Sequence, residues 1–574
     1  MMLPVLRSYQ TKVWQIPTLA AASNASFVIR RCKSTTWTID PSSGVVSSLG
    51  QAKKYQSILG VEIHAQLDIP TKLFSPAPAV SAITTPPNTA VHPYDAALPG
   101  VLPSLSAEAV QAAVIAAHLM GCSLQQSSRF ERKHYTYADL PHGYQITQQR
   151  WPIAVNGNVT VAYTVPGKGG KKKKIPKQQS LSCRINRLQL EQDSGKTVQV
   201  YNPDTGYRES RVDLNRAGQA LVEIVAEPDL RTPLEAATLV DHFRQLFKHV
   251  GICNGRMEEG NLRCDLNVNL QDMETGERSA RVEVKNLNSL RQIKEAAAYE
   301  LHRHAKEWPD REETRTWNVG KSVTELIRRK DQAEDYRFMP EPDLPPVILD
   351  SSSLGGLTLE EFLETRIPEL PVEAIDRFIQ QYDLSEYQAQ VIAGDPPAIP
   401  FLDMAIATAQ DRLEDGSSRQ QKRAVEMTTN FLINDLFGIV KEHSPNESEA
   451  SVSESFVSPV QLGETVAMIL NGRISTTMAK NLLHCLYTTE KGGIPHQVAS
   501  DQGWQLISDP EELRALCDRV TKSHPDEVEK YREGGKYEIK MFKFFIGKVM
   551  AASRGMAEPE RLKDILEEVL NKPI

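Results

Sequence analysis

From Ser57 to Leu67 the chain reads SILGVEIHAQL, with Val61, Ile63 and Ala65 alternating with Glu62, His64 and Gln66. A period of two predicts a strand packed on one face and polar on the other. The pattern returns in four later stretches. Arg187–Lys196 sets Leu188 and Leu190 against Gln189, Glu191 and Asp193, and Arg211–Leu230 sets Val222, Ile224 and Ala226 against Glu223 and Glu227. Arg256–Leu270 alternates Leu262, Cys264, Leu266 and Val268 with Arg263, Asp265, Asn267 and Asn269, and Arg281–Ser289 sets Arg281, Glu283 and Lys285 against Val282 and Val284.

Between these strands the spacing becomes helical. Ser106 as cap, Glu108 in the first turn and Gly121 as stop frame a helix with Val110, Val114, Ala117 and Leu119 inward. Thr232-Pro233-Leu234-Glu235 is a capping box with Pro at the first helical position, followed by a stripe of Leu239, Val240, Phe243, Leu246, Phe247 and Val250 that Gly251 ends. After Pro346, helical spacing over 357–363, 372–381 and 402–409 predicts an all-helical remainder, and the Ser/Glu-rich stretch 442–458 reads as a flexible loop. The Arg-, His- and Tyr-rich segment Phe130–Ile146 suits either contact with phosphate or a polar ligand, or a plain surface loop.

At 574 residues, 40% hydrophobic and 24% charged, the chain has material for several cores. Its most apolar window, 112–121, is too short for a bilayer and contains His118, so no membrane span is expected. Seven scattered cysteines without a CxxC pair argue against a disulfide framework and a zinc ribbon. Arg7, Lys12, Arg30, Arg31 and Lys33 all precede the first acid, Asp40, in a Ser-rich context, which predicts a mitochondrial transit peptide over 1–45. The net charge of −7 leaves nucleic-acid contact to local basic patches. The Lys168–Lys177 run, KGGKKKKIPK, reads as a solvated loop, with phosphate-backbone contact as the alternative.

The polar faces of the five strands carry Glu62, His64, Glu191, Glu223, Arg263, Asp265, Glu283 and Lys285, with Asn286 and Asn288 just beyond. Residues two apart on a strand lie roughly 6.6 Å apart on one side, so Glu62 and His64 can meet at one cation. Glu223 and Glu227 are roughly 13 Å apart by the same rise, which leaves Glu223 as the better ligand. Oxygen donors with one imidazole suit Mg²⁺ or Mn²⁺, and adjacent Arg and Lys suit the phosphates such ions accompany. The pattern implies nucleotide-dependent phosphoryl transfer, although neither GxxxxGK[ST] nor GxGxxG before a helix is present.

The runs GVEIHAQL, ALPGVLP, ADLPHGYQI, LEQDSGK, DLNRAGQALVEIVAEPDLRTP, MEEGNLRCDLN, EVKNLNS and DYRFMPEPDLPP, in this order, resemble the B subunit of the glutamyl-tRNA(Gln) amidotransferase family, in its mitochondrial form. The resemblance implies an α+β chain: a cradle domain with a large mixed or antiparallel sheet over 55–350, a helical linking domain over 351–422 and a small all-α tail over 423–574. It implies a ligase of the mitochondrial matrix that phosphorylates, with ATP, the side-chain carboxylate of glutamate misattached to tRNA(Gln) and amidates it with ammonia. A partner glutaminase subunit of the amidase type would supply the ammonia, and a small bridging subunit would complete the complex. Amidation of aspartyl-tRNA(Asn) and a non-catalytic tRNA scaffold are the alternatives.

By its motifs the family's Mg²⁺ ligands and catalytic positions fall on Glu62, His64, Glu191 and Glu223, with Asp265 contributing. Arg216, Arg263, Lys285, Asn286 and Asn288 become the expected nucleotide contacts. The tail would meet tRNA through Lys540, Lys543, Lys548 and Arg554. Where relatives carry paired zinc-binding cysteines this chain has Ser75, Ala77, His92 and Asp95, so no structural zinc is expected. Lys171–Lys174 looks like an insertion to which no family role transfers.

Overall fold

A computed structural model describes residues 37–48, 53–81, 83–165, 177–329, 336–444, 450–489, 492–507, 509–533, 537–553 and 555–571. The Lys171–Lys174 run, Arg554 and residues 1–36 of the expected leader lie outside the described residues. The chain forms two compact units, the first ending at Leu370 and the second starting at Pro371.

The first unit is built on an eleven-stranded sheet with strand Lys54–Gln66 near its middle. On one side this central strand pairs with Ala220–Ala226, which pairs in turn with Lys177–Gln192 and then Ala154–Val165. On the other side lie Leu262–Asp272, Val282–Leu287, Glu313–Asn318 and Val323–Arg329. Every one of these pairings is antiparallel except that between Val282–Leu287 and Glu313–Asn318, which makes the sheet mixed.

Alternation sorts the side chains as the sequence predicts. Ile63, Leu188, Ile224 and Cys264 stand in register across four strands and are wholly or almost wholly buried. Three helices pack on the sheet: Ala107–Leu119, Pro233–His249 and Leu290–Glu307. Thr232 and Glu235 form the expected capping box, and Phe243 and Phe247 below it are buried. Helix Leu290–Glu307, capped by Ser289, is absent from the sequence expectation. Of its seven buried positions three are alanines, Ala296, Ala297 and Ala305, and two are Glu300 and His304, which leaves Ile293 and Leu301 as the only large apolar signal.

Three boundaries differ from expectation. Trp37–Ile39 and Val45–Ser48 form a ribbon that pairs onto the central strand and buries Val46, so the fold begins before residue 45. Acid-free composition ends only at Asp40, and strands this short leave no readable period. Arg211–Leu230 is two strands, because Arg211–Asp213 ends the separate ribbon Lys196–Asn202/Tyr207–Asp213 while Ala220–Ala226 joins the main sheet. The turn between them needs Gly218 at φ +82, where a Cβ would also meet Asp95 Oδ1 at 3.0 Å. Helix Leu359–Arg366, expected in a helical domain starting at 351, groups with the sheet-bearing unit.

The second unit is helical. One apolar cluster extends from Ala374 through Leu402, Leu432 and Leu482 to Ala499, and so crosses the expected boundary at 422/423 without a break. A second cluster, Leu513 to Leu570, holds the last helices together. The stretch read as a loop over 442–458 begins as the end of helix Phe437–His443 and contains a short 3₁₀ turn, Val452–Glu454, with Val452 buried. Lys540, Lys543 and Lys548 are exposed on helix Glu538–Ala552, whose Phe545 and Val549 face inward. Among the described residues no helix is long and apolar enough to cross a membrane.

Candidate active site

The polar face of the central strand is where the acids meet. Glu223 stands directly opposite His64 on the neighbouring central strand, Arg263 faces His64 from the other side, and Asp265 stands opposite Glu62. Glu191 enters from the strand beyond Glu223. His64 Nδ1 lies 2.8 Å from Glu191 Oε1, and its Nε2 lies 3.4 Å from Glu62 Oε1. Two overlapping groups, Glu62–His64–Asp265 and His64–Glu191–Glu223, each bring their ligand atoms within 4.8 Å of one another. Glu191, Glu223 and Asp265 are buried, at 4, 6 and 5% exposed, while the His64 and Glu62 side chains keep 18 and 27% of their surface.

So many carboxylates in one place leave an imbalance of charge. Burial, then the charges of Glu191 and Glu62, push Glu223 well above the ordinary carboxylate range. Burial works against the charge of His64, but the carboxylates of Glu191 and Glu62 outweigh it and hold the imidazole well above its usual value. Burial alone would raise Glu62 and Glu191 as well, but their bonds to His64 keep both below the usual range. Without a cation His64 and Glu223 therefore each keep a proton to higher pH than an isolated imidazole or carboxyl would. A divalent ion with a preference for oxygen fits this donor set, since it would replace those protons and balance the carboxylates directly.

The remaining expected residues divide into rim and support. Lys285 Nζ lies 2.9 Å from Asp265 Oδ2 and 2.8 Å from Glu283 Oε1, at the cluster's edge. Asn286 acts through its backbone: at φ +59 its N–H donates to Asp265 Oδ1 at 2.9 Å, and its side chain is exposed. Asn288, also exposed, immediately precedes the Ser289 cap of helix Leu290–Glu307. Arg263 pairs with Asp193 at 3.1 Å. Arg216 donates to the carbonyls of Ser194 (3.0 Å) and Gly195 (2.5 Å), which clamps the turn after Glu191. Glu227 stays apart, accepting from Asn186 Nδ2 at 2.7 Å.

Several residues at the site are not apparent from the sequence. Gln189 has the parity of Glu191 two positions later, yet an amide among acids carries no signal of its own. Thr147 gives none either, because the preceding Phe130–Ile146, read as a ligand-contacting segment or a surface loop, shows no strand period. In fact Glu131–His134 and Tyr144–Thr147 pair as a hairpin, joined by Met339–Pro340, and Thr147 Oγ1 lies 3.1 Å from Gln189 Nε2. Lys133 on that hairpin holds its ammonium 4.9 Å from the Tyr336 ring centroid, and its charge helps keep Glu191 ionised.

The four positions expected to lack zinc surround a buried ion pair. Asp95 accepts from Lys72 Nζ, Ser75 Oγ and the His92 N–H, each at 2.9 Å, and Lys72 is fully buried. Lys72 also donates to the carbonyl of Leu214 at 3.1 Å, which ties this loop to the turn leading into the Glu223 strand.

Residues 57–354 match the family described as the GatB/GatE catalytic domain, and residues 417–570 match the GatB domain. The chain is 35% identical over 577 residues to the mitochondrial glutamyl-tRNA(Gln) amidotransferase B subunit of Phytophthora infestans, covering 91% of this chain and 96% of that relative. It is 35% identical to an aspartyl/glutamyl-tRNA(Asn/Gln) amidotransferase B subunit from a Thermotoga species (90% and 99% covered). To that of Rickettsia bellii it is 36% identical (90% and 98% covered). With both domains matched in order and nearly its whole length shared with these relatives, the chain belongs to the GatB/GatE family, the B subunits of the tRNA-dependent amidotransferases.

Proposed function

We propose that this chain is the carboxylate-activating subunit of a mitochondrial tRNA amidotransferase. In this reading a side-chain oxygen of glutamate on tRNA(Gln) attacks the γ-phosphorus of ATP, and the bond to the departing ADP breaks. Ammonia then attacks the activated carbonyl carbon, phosphate leaves, and glutaminyl-tRNA(Gln) results. The observation that carries the reading is the convergence of the partly buried Glu62 and His64 with the buried Glu191, Glu223 and Asp265 in one cluster. A scaffold whose acids served only as surface ion pairs would leave them dispersed.

Glu62, His64, Glu191, Glu223 and Asp265 would hold a Mg²⁺ ion. When bound, that ion would neutralise charge on the phosphates of ATP. Lys285 and Arg263 stand beside the cluster with carboxylate partners that fix their direction, which suits them to receive phosphate oxygens. Asn286 and Asn288 flank the N-terminus of helix Leu290–Glu307, a position that favours an anion. Arg216 supports the same rim from behind Asp193.

The name of the Phytophthora relative supports glutamate on tRNA(Gln) and a mitochondrial setting, and within it this reading takes the matrix as the place of action. Names that include aspartyl-tRNA(Asn) favour a second reading, amidation of that substrate at the same site. Designation of these relatives as one lettered subunit of an amidotransferase supports assembly with other chains, here an amidase-type glutaminase and a small bridging subunit. The exposed Lys540, Lys543 and Lys548 suit the tail to a tRNA backbone.

The test replaces Glu223 with Gln in the assembled complex and supplies free ammonium, which removes any need for the glutaminase. ATP-dependent formation of glutaminyl-tRNA is expected to collapse while tRNA still binds. Unchanged ammonium-dependent activity would sink the assignment of the cluster.

A further inference from the structure

Glu223 is the acid of the cluster with the most reason to turn away, since two other carboxylates crowd it. What holds it is Gln189, its direct neighbour across the ladder and 1% exposed. Gln189 Nε2 donates to Glu223 Oε2 at 2.7 Å and to Thr147 Oγ1 at 3.1 Å. Gln189 Oε1 accepts from Arg187 Nε at 2.8 Å. A guanidinium has donors only, so the amide oxygen must face Arg187 and the NH₂ must face Glu223.

We infer that Gln189 is a positioning residue that aims Glu223 into the cluster, and that Arg187 sets the polarity of its amide. This rests on the metal-site reading given above. The amide takes one carboxylate oxygen and leaves the other for the cluster. It does so without adding charge, because the positive group stands one residue further out. Arg187 is itself anchored by Gln149 Oε1 at 3.4 Å and Asn186 Oδ1 at 3.3 Å. Outer partners of this kind typically set ligand orientation and change metal affinity when removed.

Two kinds of variant separate positioning from packing. Gln189→Glu keeps the shape and the bond to Arg187 but sets an acceptor against Glu223 Oε2. Arg187→Met never touches Glu223, yet frees the amide to flip; Arg187→Lys keeps a donor in place. Mn²⁺ binding is measured by electron paramagnetic resonance on the full-length chain assembled with its partner subunits, with the melting midpoint followed alongside. Gln189→Glu and Arg187→Met are each expected to weaken Mn²⁺ binding roughly 10- to 100-fold, while Arg187→Lys recovers most of the affinity. Mn²⁺ affinity within twofold of wild type in both Gln189→Glu and Arg187→Met overturns the inference alone. A wild-type complex that binds no Mn²⁺ overturns the metal reading, and the inference falls with it.

Discussion

Glu223→Gln, which should destroy activity, should also make the cation-free protein more stable. The ligand atoms of His64, Glu191 and Glu223 lie within 4.8 Å of one another. An ionised Glu223 would repel a second unit charge at that separation by about 3 kcal/mol at an effective dielectric of 20, and the wild type escapes this only by holding a proton, at a cost that grows with pH toward the same limit. Gln keeps the shape and still accepts from Gln189, giving back about 1 kcal/mol for the weaker, uncharged bond. The net gain of about 2 kcal/mol corresponds to a rise on the order of 4 °C in the melting midpoint of the sheet-bearing unit. The sign follows from proton binding: Glu223 is raised above its ordinary 4.5, so above that pH the folded state holds a proton that the unfolded state has lost. Wild-type stability therefore falls as pH rises through this window, and the advantage of the variant widens with it. Calorimetry in EDTA at pH 5, 7 and 8.5 would read the trend. Added Mg²⁺ should narrow or reverse it, because only the wild type gains fully from binding. A variant that melts below wild type in EDTA at pH 8.5 would refute the claim that crowded carboxylates dominate the empty cluster.

The protons on His64 and Glu223 predict that Mg²⁺ binding releases as many as one from each, so apparent affinity should climb with pH and the calorimetric heat should depend on the buffer. A heat independent of buffer ionisation would contradict this. Deleting the chain after Asp509 removes only the partly buried Met556 from the Ala374–Ala499 core and should yield a folded protein with weakened tRNA binding, whereas a cut after Ala424 opens that core and should aggregate; gel filtration and tRNA titration distinguish them. Gly463 lets two helices cross closely, since a Cβ there would meet the Ala405 carbonyl at 2.5 Å. Gly463→Ala should therefore cost about 1–3 kcal/mol of the helical unit's stability in a denaturant melt, and an unchanged midpoint would show that the crossing can yield.

What the sequence made legible follows the length of its patterns. Central strand Lys54–Gln66 and strand Leu262–Asp272 alternate over many residues, so their polar faces, and with them Glu62, His64 and Asp265, stand out. Thr232 and Glu235 announce their helix because capping is local chemistry. Convergence was not legible, because it depends on register: one residue of slip would turn Glu223 to the packed face. Gln189 and Arg187 matter only through partners on other strands, and an isolated sequence gives no sign of whom a side chain will face. The hairpin over the site stayed hidden for a similar reason, its strands of four residues being shorter than any dependable period.

The central strand also sets a timetable. Glu62 and His64 are near the beginning of the chain, yet their pairing partners on both sides arrive much later: Glu223 on one flank, Arg263 and Asp265 on the other. At a synthesis rate of about 5–20 residues per second, the roughly 200 residues between Glu62 and Asp265 take about 10–40 s to appear. Until Ala220–Ala226 is made, the nascent strand carries Val61, Ile63 and Ala65 with both edges open, and until Leu262–Asp272 follows one edge stays open, the condition that invites wrong pairing. Its interleaved charges, Glu62 and His64, interrupt the apolar run at alternate positions. The residues that later gather in the cluster are thus the ones that break the apolar run of a strand whose partners are not yet made.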